Sequence, residues 1–238
     1  MKIKIFTSIL LLILIVTTTS CTDENEVLDD PLNRAELFVT SNANGTISVY
    51  DFSDISTIET TTLTTSSSDN EGIHYNPIAD ELFVASRSNF NLNIYTGVEN
   101  QIDGLTGAAT GEITGSADFD SPRDIAVRGN IIVVSDSGDS TLYLYTRTAS
   151  GIELRNEFDI NFPIWGIEFV GNDLYAVVDQ SGDLAIFTNF LNNTANGNLT
   201  ESKRITIEGI VRTQGITYEA TSDVLVLTDI GSSSSDSD

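Results

Sequence analysis

Positive charge is what this chain has least of. Only 11 of its 238 residues are Lys or Arg, against 35 Asp or Glu, for a formal charge of −24. A surface of that sign repels nucleic-acid phosphates and anionic lipid headgroups, so nucleic acid is excluded as a partner. The acids are spread along the chain and read as a solvated surface. Cysteine is nearly absent too. Cys21 is the only one, so no intrachain disulfide can form. A body of about 200 residues can instead be held by burial and strand pairing. There is one histidine, His74, in an alternating strand pattern, where it reads as structural. No Cys–His or Ser–His–Asp set can be assembled, and neither a glycine-rich phosphate loop nor zinc-ligand spacing is present. Long helix-forming stretches are missing, while aromatic and β-branched residues are frequent, which favours strands.

Long apolar runs are also scarce, and the longest, residues 5–16, is too short to span a bilayer comfortably. Lys2 and Lys4 precede it, and the small residues Thr17, Thr18, Thr19 and Ser20 lead to Cys21. This is the layout of a secretory leader. It resembles the lipobox of bacterial lipoproteins, although Thr18 stands where leucine is usual. The resemblance implies that residues 1–20 are removed and Cys21 is acylated, which gives stable attachment to a membrane. Without Lys2 and Lys4 the charge becomes −26. Residues 21–33 read as an acidic, flexible tether. An acidic stretch directly behind the cysteine resembles the export tag of surface lipoproteins in Bacteroidota-type bacteria. The expected location is therefore the cell envelope, at the outer membrane and exposed on the surface.

The remainder repeats itself. One strand type occurs five times, with first apolar residues Leu37, Leu82, Ile131, Leu174 and Val224, at steps of 45, 49, 43 and 50. A second type follows the first four, ending on Tyr50, Tyr95, Tyr145 and Phe187. Between the two lie turns rich in Asn, Asp and Gly, as tight hairpins require. A third type precedes the first from the second unit onward, at residues 72–75, 124–127, 166–169 and 215–218. A looser fourth segment closes each unit. Four strands in about 45 residues make a propeller blade, and such sheets stack because none can bury its own two apolar faces.

The pattern resembles NHL- and YVTN-type β-propeller repeats, most closely over residues 121–145, SPRDIAVRGNIIVVSDSGDSTLYLY. The Asn-Arg-Ile that often follows the turn in NHL repeats is lacking. The fold expected is all-β, a β-propeller of four-stranded blades over residues 34–230, followed by a Ser/Asp-rich tail at 231–238. About five repeats are visible. The first lacks its innermost strand and the last is incomplete, as in a truncated six- or seven-bladed ring.

In such propellers the loop entering the innermost strand lies at the channel mouth, the usual ligand face. The residues expected just before that strand are Glu71, Arg123, Trp165 and Gln214. Trp165 would stack on a sugar ring or an apolar ligand, and Arg123 would hold a carboxylate. In the competing, purely structural expectation Trp165 packs between blades and Arg123 pairs with an acid such as Asp124. The hairpin-opening column is Asn42, Arg87, Asp136, Asp179 and Asp229. Its three aspartates, Asp136, Asp179 and Asp229, would either ring a divalent cation such as Ca²⁺ or accept hydrogen bonds within their own turns. No cofactor is otherwise expected, and no catalytic residue is assigned. The function expected is a binding or interaction module, with an envelope protein or a carbohydrate as partner. The alternative is a metal-dependent hydrolase similar to lactonases and gluconolactonases, with Glu71 and Asp179 or Asp229 as metal ligands.

Overall fold

The computed structural model describes residues 35–103, 113–116 and 119–231. The leader, Cys21, the tether and residues 232–238 of the tail lie outside them. The described residues from Glu36 onward belong to one compact unit.

That unit consists of successive antiparallel sheets in chain order. The first holds β1 (Glu36–Thr40), β2 (Thr46–Asp51) and β3 (Glu59–Thr64). The second runs β4 (Asn70–Asn76), β5 (Glu81–Ser86), β6 (Asn91–Thr96) and β7 (Ile113–Ser116), with a short helix α1 (Val98–Asp103) before its last strand. The third runs β8 (Pro122–Arg128), β9 (Ile131–Asp136), β10 (Thr141–Thr148) and β11 (Gly151–Asp159). The fourth contains β12 (Ile164–Val170), β13 (Asp173–Val178), β14 (Asp183–Phe187) and, beyond the two-residue β15 (Gly197–Asn198), β16 (Lys203–Thr206). β17 (Thr213–Glu219) and β18 (Val224–Asp229) pair as the fifth. The five repeated segments thus fall in five separate sheets, as β1, β5, β9, β13 and β18. β15 adds in parallel to the outer edge of β11, a fifth strand for the third blade that the sequence does not announce.

The alternation within each strand explains the stacking. In β10, Tyr143 and Tyr145 join Phe83, Ala85, Leu92 and Ile94 of the second blade. Leu142 and Leu144, on the opposite face, join Leu174, Ala176, Ala185 and Phe187 of the fourth. Side chains two apart point the same way, so one strand feeds two interfaces. Ile47, Val49 and Leu63 of the first blade meet Leu82, Val84 and Tyr95 of the second in the same manner. The outward faces of the first and fifth sheets have no such cover among the described residues, and Leu37, Val39, Val224 and Val226 stand exposed there.

The innermost strands β4, β8, β12 and β17 lie side by side about the axis. Glycine sets how close they come. A Cβ on Gly72 would lie 2.5 Å from Asp124 Cα, and one on Gly166 would lie 2.3 Å from the Gln214 carbonyl oxygen. Both neighbours are backbone of the next blade and cannot yield without moving a strand. Gly166→Ala is therefore expected to force the fourth and fifth blades apart at the axis, costing about 1–3 kcal/mol in denaturant unfolding.

Candidate functional site

The residues expected at the channel mouth are brought together. Glu71, Arg123, Trp165 and Gln214, from four blades, line one cavity of about 310 Å³ with Gly72, Asp124 and Thr228 among its other walls. Their position in the chain differs from the expectation. They do not precede the innermost strands but lie inside them. Each strand begins earlier, at Asn70, Pro122, Ile164 and Thr213. The register then shifts, between Asn70 and Ile73, Pro122 and Asp124, Ile164 and Ile167, and Thr213 and Ile216. Each site residue therefore occupies a β-bulge, which breaks the ladder and re-aims a side chain. Three of the four are followed by glycine (Glu71-Gly72, Trp165-Gly166, Gln214-Gly215). A glycine inside a strand pattern is the signal that would have placed the bulge.

Arg123 is the centre of the site. Its Nε donates to Ser137 Oγ at 2.8 Å and its Nη1 to Glu71 Oε1 at 3.1 Å. The guanidinium carbon lies 4.0 Å from the centroid of the Trp165 ring, a cation–π stack across blades. The acid that pairs with Arg123 is thus Glu71 of the neighbouring blade, not Asp124. The same Glu71 oxygen accepts from Arg87 Nη1 at 2.7 Å, and Arg87 also lies 3.6 Å from Asp69. Burial, and then the nearby Arg87, hold the Arg123 pKa below the ordinary guanidinium value.

Asp124 ties the innermost strands together. Its Oδ2 accepts from Ile167 N of the next blade at 2.9 Å. Ser135 Oγ accepts from Asp124 N at 3.0 Å and donates to the Trp165 carbonyl at 2.6 Å. Between the first and second blades, Thr40 Oγ1 donates to the Glu71 carbonyl at 2.6 Å. Burial pushes the Asp124 carboxyl up to about 7, against the opposing help of the Ile167 and Ile125 amides. A second cavity of about 320 Å³, lined by Thr40, Ser41, Asn42, Asn70 and Glu71, adjoins the first at Glu71. The two cavities share Glu71 as a wall, and between them their walls come from the first blade to the fifth.

The three aspartates of the hairpin column are not brought into one site. Asp136 is buried and accepts from the amides of Asp120, Ser121 and Gly138 at 2.8, 2.8 and 2.9 Å. Asp179 accepts from the amide of Gln180 at 2.8 Å. Asp229 accepts from the amides of Arg212 and Gly231 at 2.8 and 3.2 Å, and the Arg212 amide is the main cause of its lowered pKa. Among the described residues, no group of three or more His, Cys, Asp or Glu side chains is placed to hold a metal ion. His74 sits in β4 with its ring 6.2 Å from that of Phe83, and burial lowers its pKa.

No protein-family model matches the chain, and no curated protein matches it. Among solved structures it is similar to a chain in the crystal structure of a nidogen/laminin complex, with a TM-score of 0.60 and 17% identity, over 83% of this chain and 71% of that one. It is also similar to the WD40 β-propeller domain of Doa1, with a TM-score of 0.54 and 9% identity, over 82% of this chain and 62% of that one. At such identities the likeness shows the fold alone, and the fold is that of a β-propeller.

Proposed function

We propose that this β-propeller, of NHL/YVTN-like repeat type, is a recognition module held at the cell envelope by lipid on Cys21 and displayed at the outer-membrane surface. The observation that carries the binding reading is the convergence of Glu71, Arg123, Trp165 and Gln214, four unlike functional side chains from four blades, on one cavity. A rigid scaffold with varied polar groups and one aromatic at a concave mouth is the make-up of a ligand site. Binding is favoured over metal-dependent hydrolysis because Glu71 has both Arg87 and Arg123 on one carboxylate oxygen, and two guanidinium charges beside it oppose a metal ion there. The anchor is supported by the cationic, apolar and small-residue order that ends on Cys21.

Two measurements on the full chain test the reading. Produced in a bacterium that processes lipoproteins, the protein is expected in the membrane fraction with labelled palmitate incorporated, and Cys21→Ser is expected in the soluble fraction. Persistence of Cys21→Ser in membranes would overturn the anchor. Trp165 is the only tryptophan, so 5-fluorotryptophan incorporated there gives one ¹⁹F signal, from the mouth, to which an extract does not contribute. A detergent-solubilised envelope extract is expected to shift it saturably, and Arg123→Ala to abolish the shift. An extract without effect would overturn the mouth as a binding face.

A further inference from the structure

Resting on the reading of the mouth as a binding face, we infer that its ligand is a neutral oligosaccharide, laid across the two cavities from the Gln214 side to the Asn42 side. The inference comes from which hydrogen-bonding atoms the protein leaves unengaged there. Arg123 uses Nε on Ser137 and Nη1 on Glu71, and among the described residues nothing accepts from Nη2. Glu71 takes both arginines on Oε1, and among the described residues nothing donates to Oε2. The Gln214 amide and the Trp165 indole N–H likewise have no protein partner among the described residues, although both residues line the cavity. The mouth therefore offers donors at Arg123 and Trp165, an acceptor at Glu71, and both at Gln214, within one cavity of about 310 Å³.

That mixture selects against a charged ligand of either sign. A carboxylate or phosphate matched to Arg123 Nη2 would face Glu71 Oε2. A metal ion or polyamine matched to Glu71 would face Arg87 and Arg123. Arg87 and Arg123 are set against Glu71 and Asp69, and Asp179 and the cavity wall Asp124 add further acid, which weighs against an anion. The net charge of −24 adds a general bias against anions. A neutral hydroxyl both donates and accepts. Adjacent hydroxyls on a ring therefore satisfy Arg123 and Glu71 together, while the half-buried Trp165 supplies an apolar surface with a polar edge. The ion pairs and the Trp165 stack also hold Arg123 in place before any ligand arrives, which reduces the cost of ordering it on binding.

The second cavity sets the length of the ligand. It adjoins the first at Glu71 and is lined by hydroxyl and amide groups, from Thr40, Ser41, Asn42 and Asn70. Thr40 Oγ1 is spent on the Glu71 carbonyl, Asn70 Nδ2 on Gly45 and Thr65, and Ser41 Oγ accepts from Ala43 N, so the Asn42 amide, with no protein partner among the described residues, is the group there most open to a sugar hydroxyl. A single sugar ring would occupy one of the two cavities, so a chain of several residues is the better match.

The test uses Trp165 emission on the full chain with defined probes. These are the hexamers of the malto-, cello-, xylo- and manno- series, their dimers, a hexamer of galacturonic acid, and spermidine. At least one neutral hexamer is expected to shift the emission saturably, more tightly than its dimer, with no shift from the galacturonate hexamer or spermidine. Gln214→Ala, which removes an amide with no protein partner and should leave the fold intact, is expected to weaken the hexamer about tenfold, the equivalent of one hydrogen bond. Asn42→Ala is expected to weaken the hexamer and leave the dimer unchanged. A shift confined to the galacturonate hexamer or to spermidine overturns the inference, and so does no shift with any probe. If the envelope extract shifts Trp165 while every sugar fails, the binding reading stands and the sugar class falls. If the extract fails as well, both fall.

Discussion

Replacing Phe190 by alanine is expected to lower the unfolding free energy by about 3–5 kcal/mol, the range for loss of a fully buried aromatic ring. Phe190 is fully buried, yet it belongs to no strand. It opens a single 3₁₀ turn after β14, preceded by Asn189 in the left-handed conformation. Its amide donates to the Asn172 carbonyl at 3.0 Å, which fixes the turn against the fourth blade. The ring makes edge-on contacts with Phe158, Phe169 and Phe187 at centroid distances of 5.5, 6.2 and 6.2 Å. Phe158 is in the third blade, and the other two are in the fourth. One loop side chain therefore seals the outer part of a blade interface, and truncating it opens a cavity that two sheets line. Equilibrium denaturation measures the loss. Ile78→Ala, at a side chain 97% exposed, is the control and should change stability by no more than about 0.5 kcal/mol. Equal effects from the two variants would show that Phe190 does not join the blades.

The second large effect is on the pH dependence of stability, and Asp124 is its source. Its carboxyl titrates near 7 in the folded protein, against an ordinary value of 3.8, because burial disfavours the charged form. In the window between those values the folded protein binds a proton that the unfolded chain has released. Stability from this group therefore falls as pH rises from about 4 to about 7, and is level outside that window. The upper limit of the effect is roughly 4 kcal/mol. Burial raises Asp136 and Glu168 in the same direction, so the wild-type slope is shared. Asp124→Asn isolates one part of it. The amide oxygen can still accept from Ile167, while the cost of a buried charge is gone. The variant is expected to match the wild type near pH 4 and to exceed it at pH 8. Glu219 and Asp229 have lowered values. They favour the fold above the ordinary carboxylate range and lose that contribution under strong acid. The stability optimum should therefore lie near pH 4–5. A variant no more stable than the wild type at pH 8 would show that Asp124 carries no burial penalty.

The blade pattern was legible because the sheets bury their facing sides by the same repeated means. Leu82, Ile131 and Leu174 recur at nearly even steps, and each is the first apolar residue of a strand in its own sheet. The strands that stood out least lack that signature. β3 is mostly threonine, with Leu63 as its only large apolar residue. β15 joins its sheet through two residues. Helix α1 is a short turn packed through Val98 and Ile102 beside the first two blades, too short for a helical period to stand out. At the site, the four column residues were visible, but their placement inside the strands was not. A bulge leaves the alternation intact on both sides and shows only as the glycines Gly72, Gly166 and Gly215. The partner of Arg123 was hidden for a different reason. Glu71 is distant in sequence, and only the curvature of the ring brings it closer than the adjacent Asp124. The hairpin column showed aspartate three times, but the informative residue in it is Arg87, which reaches Glu71.

Residues far apart in the chain converge on one mouth because the blades stand radially around it. Contact quenching by Trp165, the single tryptophan, tests this most directly. In a Cys21→Ser background, a bimane label on Glu71→Cys or on Gln214→Cys should be quenched, and Trp165→Phe should restore its emission. A label on Ser222→Cys, in the turn at the other end of the fifth blade, should be unaffected by either residue. Bright, Trp165-independent emission from both mouth labels would contradict the radial arrangement, and with it the binding face.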